Sequence, residues 1–566
     1  MEFRWQVLNN HDSRIIDEYA DQLNSPPVLA KILLNRGIEN IETARRFLKP
    51  ELSHLHDPFL LAGMQDAVER IAVAISNKEK ILIHGDYDVD GTTATSMLLL
   101  FFRNLGQSVD FYIPDRLLEG YGLSEKGMVF AKENGFGLII TVDCGITAVD
   151  EVKLANELGI DVIICDHHQP AEDLPSATAI LNPKRPDCTY PFKELAGVGV
   201  AYKLLQALRS YLNLDDSTVL EFLGLVSIGS SADIVPLVDE NRVIVKHGLQ
   251  SLSQTNNIGL SALIDSSGLT DCEIGTGQVV FVLAPRINAV GRMGDAGRAV
   301  RLLTSDNKQQ AKNIATILES ENRHRKSIDE ETFSEAYEMV ENNFNPEEEN
   351  VFVLHKNGWH PGVIGIVASR LVEKFYRPTV MIATDENGRG RGSARSIAGF
   401  NIYEALKECE DLMVSFGGHK YAAGLTIEIK NISLLRDKLS QVASERLTAD
   451  LLKPKLSIDS EIRLREIDWQ LIKLINRMAP FGPQNMRPLF LSKGLQVVGT
   501  PSVVGKNHLK FRVRQDGIVM DAIGFNLGEK IYRISPGEQD VEIVYIIDEN
   551  EYQGRKTIQL RVKDLR

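Results

Sequence analysis

The sequence predicts an α/β protein in which two α/β domains are joined by a long helix and followed by a C-terminal β-barrel. Three observations support this fold class. From about residue 65 to 235, short apolar runs alternate with helical stretches, which is typical of βαβ units and a mostly parallel sheet. Residues 307–343 place apolar side chains at steps of three and four among charges, which indicates a long helix. After about residue 455 the chain is a series of short alternating strands, which favours a small barrel.

These patterns divide the 566 residues into five predicted domains. Residues 1–55 are polar and contain a Pro-Pro pair, so we expect an irregular N-terminal segment. The run NPEEEN, with Pro346, marks the start of the second α/β domain. The remaining predicted domains are 56–240 for the first α/β domain, 241–344 for a helical region with the connecting helix, 345–452 for the second α/β domain and 453–566 for the barrel.

The composition is that of an ordinary globular protein, with 43% hydrophobic and 25% charged residues. The sequence contains no apolar run of about 18 residues, as a membrane span requires, and its N-terminus lacks the apolar stretch of a secretory signal. Five scattered cysteines do not form a disulfide framework, so we expect a reducing cytoplasm. The 63 Lys and Arg against 77 Asp and Glu give a net charge of −14, which at first argues against a nucleic-acid partner.

The first α/β domain contains four strand-like runs. The run KILIHGD precedes the helical stretch TTATSMLLLFFRNLG, and GLIITVDCG precedes AVDEVKLANELG; DVIICDHH and TAILNP follow. In a parallel sheet, ligands bind at the carboxyl ends of strands, near the point where the strand order switches. We therefore expect the polar residues that end these runs to converge in space.

Acidic and imidazole side chains gather at three of these strand ends. Carboxylates packed closely repel one another unless a cation neutralises them. A set dominated by carboxylates with one or two imidazoles suits Mg²⁺ or Mn²⁺. Carboxylates that can bridge suggest two ions, which can activate water and stabilise a phosphoryl displacement. The residues are His84, Asp86, Asp88 and Asp90 after ILI, Asp143 after LIITV, Asp166, His167 and His168 after VIIC, and Asp233 after an apolar helix.

Each of these pieces also has a simpler structural explanation. Asp-rich loops after strands are often turns and helix caps, Asp143 before a cysteine and a glycine is typical of a turn, and Asp233 alone could cap a helix. Cys165 beside the histidines could suggest zinc, but a second cysteine pair is missing. The repetition of polar strand ends favours one shared metal site over several independent turns.

The ordered set HGDYDVDG, TVDCG, DHH and SADIVPL resembles the DHH phosphoesterase superfamily, which is named for the triplet Asp166-His167-His168. Over nearly its whole length, the chain is similar to the bacterial single-strand-specific exonucleases of that superfamily. The resemblance implies a DHH domain, a DHH-associated domain and an OB-fold barrel. It implies metal ligands at Asp88, Asp90, Asp143, His167 and Asp233, with His84 and Asp86 at a second ion or behind the ligands, and catalytic roles for Asp86, Asp166 and His168.

Several residues outside the ligand set are expected to contact the substrate backbone. Arg116, in PDRLLEGYG, could be an ordinary surface arginine, but the family places a basic residue there. Of the pair Arg286 and Arg292, we prefer Arg292 as a phosphate contact. The acid-free run 388–401 is expected to be a Gly/Arg-rich loop before a helix, which would form an anion site. The resemblance implies that Ser393 and Arg395 hold the 5′ end phosphate and that Gly417, Gly418 and His419 line the cleft.

The barrel region contains a 47-residue window, from Trp469 to Gln515, with eight basic residues and no Asp or Glu. A barrel with such a face suits single-stranded nucleic acid, and phenylalanines in the window could stack on bases. For Phe511, which alternates with basic residues in HLKFRVR, a place in the core is at least as good an interpretation. The predicted strand contacts are Lys506, Lys510 and Arg512, and the candidate stacking residues are Phe481, Phe490 and Phe511.

The resemblance implies a single-stranded-DNA-specific 5′→3′ exonuclease that releases 5′ mononucleotides in DNA recombination and repair, with two Mn²⁺ or Mg²⁺ ions. It also implies a monomer that works with a single-strand-binding protein and a RecQ-type helicase. Two other interpretations remain open: a DHH hydrolase of small phosphates, and a non-catalytic scaffold like the replication-fork relative of the family. The basic barrel argues against the first, and the complete ligand set argues against the second.

Overall fold

The structure is a computed structural model that describes residues 2–116, 119–120, 122–345 and 348–566. Tyr121 of the EGYG run and Pro346 of the predicted boundary lie outside the described residues. The chain divides into two compact units, each described below by itself. The smaller unit contains the residues up to Val7 and Glu321–Ser457, and the larger contains Leu8–Ser320 and Ile458–Arg566. Among the described helices, no stretch has the length and the hydropathy of a membrane-spanning segment.

The N-terminal segment is helical, so the expectation of an irregular segment over residues 1–55 is wrong. Asp12 and Asn40 cap two of its helices with side-chain oxygens that accept backbone N–H groups. Apolar residues such as Leu29 and Ile32 are fully buried in a core shared with the C-terminal barrel. The elements are β1 (Arg4–Val7), α1 (Ser13–Leu23), α2 (Pro27–Asn35) and α3 (Ile41–Leu48).

The first α/β region contains a five-stranded parallel sheet in the order β3-β2-β4-β5-β6. The chain passes from β2 to β3 on one side and later returns to β4 on the other side of β2. The strand order therefore switches between β2 and β4, where parallel sheets bind ligands. The elements are α4 (Met64–Ser76), β2 (Ile81–Gly85), α5 (Val89–Asn104), β3 (Val109–Tyr112), α6 (Glu125–Glu133), β4 (Leu138–Val142), α7 (Val149–Glu157), β5 (Asp161–Cys165) and β6 (Ala179–Leu181).

A helical region follows this sheet and covers one of its faces with apolar side chains. One turn, Val279–Leu283, is a π-helix. The long helix predicted over 307–343 is confirmed as a single helix of 36 residues. The elements are α8 (Gly197–Tyr211), α9 (Ser217–Leu220), α10 (Leu223–Ala232), α11 (Asp239–Leu252), α12 (Ile258–Ser266), α13 (Thr276–Gln278), α14 (Ala284–Met293), α15 (Gly297–Leu303) and α16 (Lys308–Asn343).

The smaller unit is built on a five-stranded mixed sheet in the order β10-β11-β9-β8-β7. The expected Gly/Arg-rich loop is a strand, β9, because its arginines and glycines alternate with the period of two that strands have. A Cβ on Gly392 would lie 2.7 Å from a Leu425 side-chain atom, so a larger residue would clash with the core there. The elements are β7 (Phe352–Asn357), α17 (Ile364–Phe375), β8 (Thr379–Thr384), β9 (Arg389–Arg395), α18 (Ile402–Lys407), β10 (Met413–His419), β11 (Ala422–Glu428), α19 (Ile432–Arg446) and β12 (Lys455–Ile458), the last paired with β1.

The C-terminal region is the predicted β-rich domain. Its strands follow the order β14-β18-β19-β17-β16, and a further pairing of Gln496 with Arg514 and of Val497 with Val513 joins β14 to β16. The first and last strands of this set are thus hydrogen-bonded neighbours, as in a small barrel. The elements are β13 (Ser460–Glu461), α20 (Trp469–Arg477), β14 (Phe490–Val497), β15 (Ser502–Val504), β16 (His508–Gln515), β17 (Ile518–Gly524), β18 (Val541–Tyr552) and β19 (Arg555–Leu565).

Arg242, on α11, ties three parts of the larger unit together. Its side chain is 1% exposed and lies with its guanidinium 4.0 Å from the centre of the Phe47 ring. The guanidinium donates to the carbonyl oxygens of Phe47, Met478 and Arg477 at 2.6–3.0 Å. Burial, together with the charge of Arg36, lowers its pKa to about 9. The helical region, the N-terminal helices and the barrel region therefore meet at one buried cation.

The substitution Arg242→Met is expected to destabilise the larger unit by about 2–4 kcal/mol, because it leaves buried carbonyl oxygens without donors. Differential scanning calorimetry of the full chain measures the change as a lower melting temperature. Arg46→Met is the matched control, since that side chain is 60% exposed and pairs with Glu42 on its own helix. Equal melting temperatures for the two variants would contradict the role given to Arg242.

Candidate metal centre and active site

The loop after β2 carries three carboxylates, and backbone N–H groups fix two of them. Asp88 caps α5 by accepting from the Gly91 N–H at 3.0 Å. Asp90 accepts from the N–H groups of Gly197 and Val198, at 2.6 and 2.8 Å, where α8 begins. A Cβ on Gly91 would lie 2.6 Å from the Asp86 carbonyl oxygen, so the tight loop requires glycine there. The geometry of the loop is thus set by the backbone.

Asp143 follows β4, at the switch point of the sheet. Its backbone has a φ of 61°, in the left-handed region, and its N–H donates to the Cys165 carbonyl at 2.9 Å. Its Oδ1 atom lies 3.1 Å from His167 Nε2. The same nitrogen lies 3.6 Å from Asp233 Oδ2 and 3.9 Å from Asp90 Oδ2. The residues predicted from three separate strand ends and one helix end therefore meet around a single imidazole.

Asp166 organises the triplet that follows β5. One of its oxygens accepts from the N–H groups of His167 and His168 and lies 2.7 Å from His168 Nδ1, and the other accepts from the Ile146 N–H. Burial alone would raise its pKa, but the hydrogen bond and charge of His168 lower it to about 2. In turn, Asp166 raises the pKa of His168 against the opposing effect of burial. Asp166 therefore fixes the orientation of the His168 ring and favours its protonated form.

Two further residues near the site carry no signal that the sequence argument used. Asn182, after β6, is fully buried and donates to the His168 carbonyl oxygen at 2.9 Å. The charge of Lys184, two residues later, acts on the pKa values of Asp233 and His167. Both lie in TAILNPK, residues 178–184. The sequence predicts a strand there, but the polar residues that end it match no motif. Because the carboxyl ends of parallel strands meet at one edge of a sheet, the place of these residues at the end of β6 indicates that they lie near the site.

The carboxylates and imidazoles form three overlapping groups whose candidate ligand atoms lie within 4.8 Å of one another. Asp143 belongs to two of the groups, and so does His167. An arrangement of this kind can hold two ions that share a bridging carboxylate. The groups are Asp90, His167 and Asp233; Asp86, Asp88 and Asp143; and Asp143, His167 and His168.

The chemistry of the donor set fits divalent cations. Among the residues that the structure describes, both ring nitrogens of His167 and one oxygen of Asp86 are buried without a hydrogen-bond partner. Burial, with the charge of Asp88, raises the pKa of Asp90 to about 7 and that of Asp233, where Asp90 also contributes, to about 9. Burial and the His168 charge lower the pKa of His167 to about 3, which leaves a neutral ring able to ligate. Carboxylates that repel one another in a buried site need cations to stay ionised.

His84 lies in none of these ligand groups of the described residues. Its ring is fully buried, with its centre 5.3 Å from that of Tyr112, and a Cβ on Gly127 would lie 2.8 Å from its Nε2. Burial lowers its pKa to about 4, so the ring is neutral. Its predicted role as a ligand stays a prediction, and the ring packs between β3 and α6.

Two arginines interact with Tyr87, which lies in the loop after β2. The Arg116 guanidinium lies 5.0 Å from the centre of the Tyr87 ring, and its charge acts on the pKa of Asp86. The charge of Arg292, at the end of α14, acts on the pKa of Tyr87. Arg286, by contrast, pairs with Glu319 at 2.7 Å and is buried. Of the two arginines on α14, the geometry favours Arg292 as the phosphate contact.

The predicted phosphate residues of the smaller unit lie together on one sheet. The Arg395 guanidinium donates to Ser393 Oγ at 3.0 Å. A Cβ on Gly365, in the first turn of α17, would lie 2.8 Å from that Oγ and 3.0 Å from the Arg395 guanidinium, so the start of the helix faces both side chains. The strand register places Ser393, Gly424 and Gly417 in one row, Ala394, Ala423 and Gly418 in the next, and Arg395, Ala422 and His419 in a third.

The basic window of the barrel is only partly basic in space. Lys510, Arg512 and Arg514 alternate with buried residues on β16 and are exposed, as is Lys506 before it. Elsewhere acids from other parts of the chain neutralise the window, and Asp521 lies opposite Arg512 in the strand register. The neutralised pairs are Lys493 with Glu461 at 2.9 Å and Arg487 with Asp548 at 3.7 Å.

Two of the three candidate stacking residues are core residues. Phe490 and Phe511 are 0% and 4% exposed, so stacking on bases at these positions is wrong. Phe481 is half-buried beneath Arg487. Phe525, an exposed aromatic residue of the barrel region that the sequence analysis did not indicate, has Arg561 4.9 Å from its ring centre. Phe525 lies outside the acid-free window, so the charge pattern of the sequence does not indicate it.

Comparisons with known proteins agree with this architecture. The DHH family N-terminal domain model matches residues 80–230, the DHHA1 domain model 348–445 and the RecJ OB domain model 458–564. The chain is 44% identical to the single-stranded-DNA-specific exonuclease RecJ of Bacillus subtilis, over 99% of this chain and 70% of that protein. It is 34% identical to the RecJ of Escherichia coli over 98% of both chains. The chain belongs to the RecJ family.

Solved RecJ structures match the fold over the whole chain. The structure of RecJ in complex with Mn²⁺ from Thermus thermophilus has a TM-score of 0.85 at 29% identity and covers 100% of this chain and 79% of that chain. The complex of the same protein with Mg²⁺ has a TM-score of 0.78 at 28% identity and covers 100% and 78%. The predicted fold class, with its DHH, DHH-associated and OB domains, is confirmed for this member of the RecJ family.

The ligand groups predict that two Mn²⁺ sites can be removed one at a time. Asp233→Asn is expected to abolish one site and Asp86→Asn the other. Asp143→Asn should weaken both, because Asp143 belongs to the group of Asp86 and its Oδ1 lies 3.1 Å from Nε2 of His167, which belongs to the group of Asp233. Isothermal titration calorimetry with Mn²⁺ measures the number of ions bound. Asp187→Asn, on the surface beside Arg185, is the control and should keep both sites. Loss of the same single binding event in the Asp233 and Asp86 variants would contradict two separate sites.

Proposed function

We propose that this RecJ-family chain is a metal-dependent exonuclease that hydrolyses single-stranded DNA from the 5′ end and releases 5′ mononucleotides. The observation that carries the proposal is the set of overlapping ligand groups, linked by Asp143 and His167, at the switch point of the sheet. The relatives named as single-stranded-DNA-specific exonucleases support the substrate. The polarity and the product rest on the resemblance of the motifs to that group of enzymes.

The proposed metal ligands are Asp86, Asp88, Asp90, Asp143, His167 and Asp233. Two Mn²⁺ or Mg²⁺ ions bound there would supply an activated water and neutralise the charge of the phosphate. The chain supplies a rigid frame for them, because the N–H groups at the start of α8 hold Asp90 and the Gly91 N–H holds Asp88. Carboxylates fixed in this way need little reorganisation when charge develops in the transition state.

His168 is the proposed stabiliser of the charge that develops on the phosphoryl oxygens. Its Nδ1 is held 2.7 Å from Asp166, which fixes the ring orientation and favours the protonated form. Its side chain is 35% exposed, compared with 9% for His167. The ring can therefore reach a substrate that the more deeply buried ligands cannot. The proposed contacts to the substrate backbone are Arg116, which lies 5.0 Å from the centre of the Tyr87 ring, and Arg292, whose charge acts on the pKa of Tyr87.

The smaller unit supplies the proposed site for the terminal phosphate. Ser393 and Arg395, on β9, face the start of α17, where helix N–H groups and a guanidinium attract anions. Gly417, Gly418 and His419 occupy the same rows of the sheet and line this surface. On the barrel, Lys506, Lys510 and Arg512 are the proposed contacts to the rest of the strand.

The proposed partners and the proposed monomeric state rest on the resemblance alone. A single-strand-binding protein and a RecQ-type helicase are proposed partners in recombination and repair. We also propose that the protein acts as a monomer and in the cytoplasm. Five free cysteines, four of them buried, agree with a reducing compartment.

Exonuclease action is tested with a 5′-labelled single strand and Mn²⁺. The label is expected to appear at once as a mononucleotide, while a 3′-labelled strand should shorten progressively. Asp143→Asn should slow the reaction by about a thousandfold; asparagine tolerates the left-handed backbone, so the variant keeps the fold. Asp187→Asn is the control and should act as the wild type. Binding without cleavage would favour a scaffold, and cleavage confined to short oligonucleotides would favour a hydrolase of small phosphates.

The phosphate site predicts that the state of the 5′ end matters. Arg395→Ala is expected to raise KM for a 5′-phosphorylated strand roughly tenfold and to leave KM for a 5′-hydroxyl strand nearly unchanged, because it removes a charge-assisted hydrogen bond. Steady-state kinetics on both strands measures the difference. Arg389→Ala, at the far end of the same strand and exposed, is the control. An equal change of KM for both strands would contradict recognition of the terminal phosphate.

A further inference from the structure

Ile234 directly follows Asp233 and has an unusual backbone. Helix α10 ends at Ala232, Asp233 is its C-cap, and Ile234 occupies the next position with a φ of 62°. Helices commonly place glycine at this position, because a Cβ clashes with the backbone in the left-handed region. A β-branched residue is the least suited to it. The chain therefore accepts strain at the residue next to a candidate metal ligand.

Packing within the chain does not compensate this strain. The Ile234 side chain is 65% exposed, whereas the next apolar residues, Val235 and Leu237, are 8% and 2% exposed. A residue that only ended the helix would be better as glycine, and a residue that only filled the core would be buried. When a residue near a functional site has a strained backbone and its side chain does not pack in the core, the side chain is expected to contact a ligand.

A second left-handed position in the same site follows this pattern. Asp143 has a φ of 61°, and its side chain belongs to two of the ligand groups. At both positions the backbone favours glycine and the chain instead carries a side chain beside the candidate metal centre. At Asp143 that side chain serves the site directly, which is a precedent for Ile234.

We propose that Ile234 makes an apolar contact with the nucleoside attached to the phosphate at the metal centre. The Cα atom of Ile234 lies about 3.8 Å from that of Asp233, because the two residues are consecutive. The Oδ2 atom of Asp233 lies 3.6 Å from His167 Nε2, so Ile234 is close to the candidate metal centre. A phosphate bound at the ligand group of Asp233 would place the sugar and base attached to it within reach of the Ile234 side chain. A branched apolar side chain can pack on the sugar ring or the base face without reading sequence, which suits a nuclease without sequence preference. This inference rests on the proposed function.

The test uses three variants of the full chain. Ile234→Gly removes the side chain and the strain, Ile234→Asn keeps a side chain that tolerates the left-handed backbone, and Ile234→Val keeps the apolar branch. Affinity for a 5′-phosphorylated single strand is measured by fluorescence anisotropy with Ca²⁺ in place of Mn²⁺, and kcat/KM is measured with Mn²⁺. Asn213→Gly is the matched control, because Asn213 is exposed and left-handed, with a φ of 54°, just after the end of α8.

The glycine and asparagine variants are expected to bind and cleave roughly three- to tenfold less well, with the valine variant and the control within about twofold of the wild type. Melting temperatures of the glycine and wild-type proteins should agree within a few degrees. Unchanged affinity and kcat/KM in the glycine variant would overturn the inference, and so would a melting temperature lowered by many degrees, since Ile234 would then serve the fold.

The affinity series separates this inference from the proposed function. A wild type that binds DNA without cleaving it would refute the nuclease, while the affinities of the four variants would still decide the role of Ile234. A wild type that neither binds nor cleaves single strands would overturn both. If the valine variant bound DNA as weakly as the glycine variant, this result would also contradict an apolar contact.

Discussion

Repulsion among buried carboxylates is the constraint on which the rest of this structure depends. Asp86, Asp90, Asp143 and Asp233 raise one another's pKa values or have them raised by burial and by Asp88. Such a cluster is unfavourable without cations, so the fold must hold it in place by other means. It does so with backbone N–H groups at the starts of helices and with the parallel sheet, whose switch point brings three strand ends together.

The order of the elements and most of the candidate site were predictable, because both follow from short-range patterns. Strands that end in polar residues, such as the one before Asp143, have a fixed geometric consequence in a parallel sheet. The pairing of Asp166 with His168 and the place of His84 against Tyr112 were not predictable. They depend on side-chain direction within a strand end, and a shift of one residue turns a side chain to the opposite face.

Net charge and linear windows were poor guides to the electrostatics of the barrel. The window from Trp469 to Gln515 contains no acid, yet Glu461 and Asp548 reach into it from outside and pair with two of its basic residues. Charges interact through space, and a sheet places residues from distant segments side by side. What the sequence could show correctly was the alternation on β16, since period two exposes every second side chain.

The core that joins the N-terminal helices to the barrel has a consequence for biosynthesis. Residues such as Leu29 and Ile32 pack with residues such as Leu509 and Leu560, from the last tenth or so of the chain. The ribosome releases the first partners long before the last ones exist, so α2 must wait with its apolar face uncovered while more than four hundred residues are made. Contacts this distant in sequence form late and expose a nascent chain to aggregation. The core of the larger unit is therefore completed only after Leu560 has been synthesised.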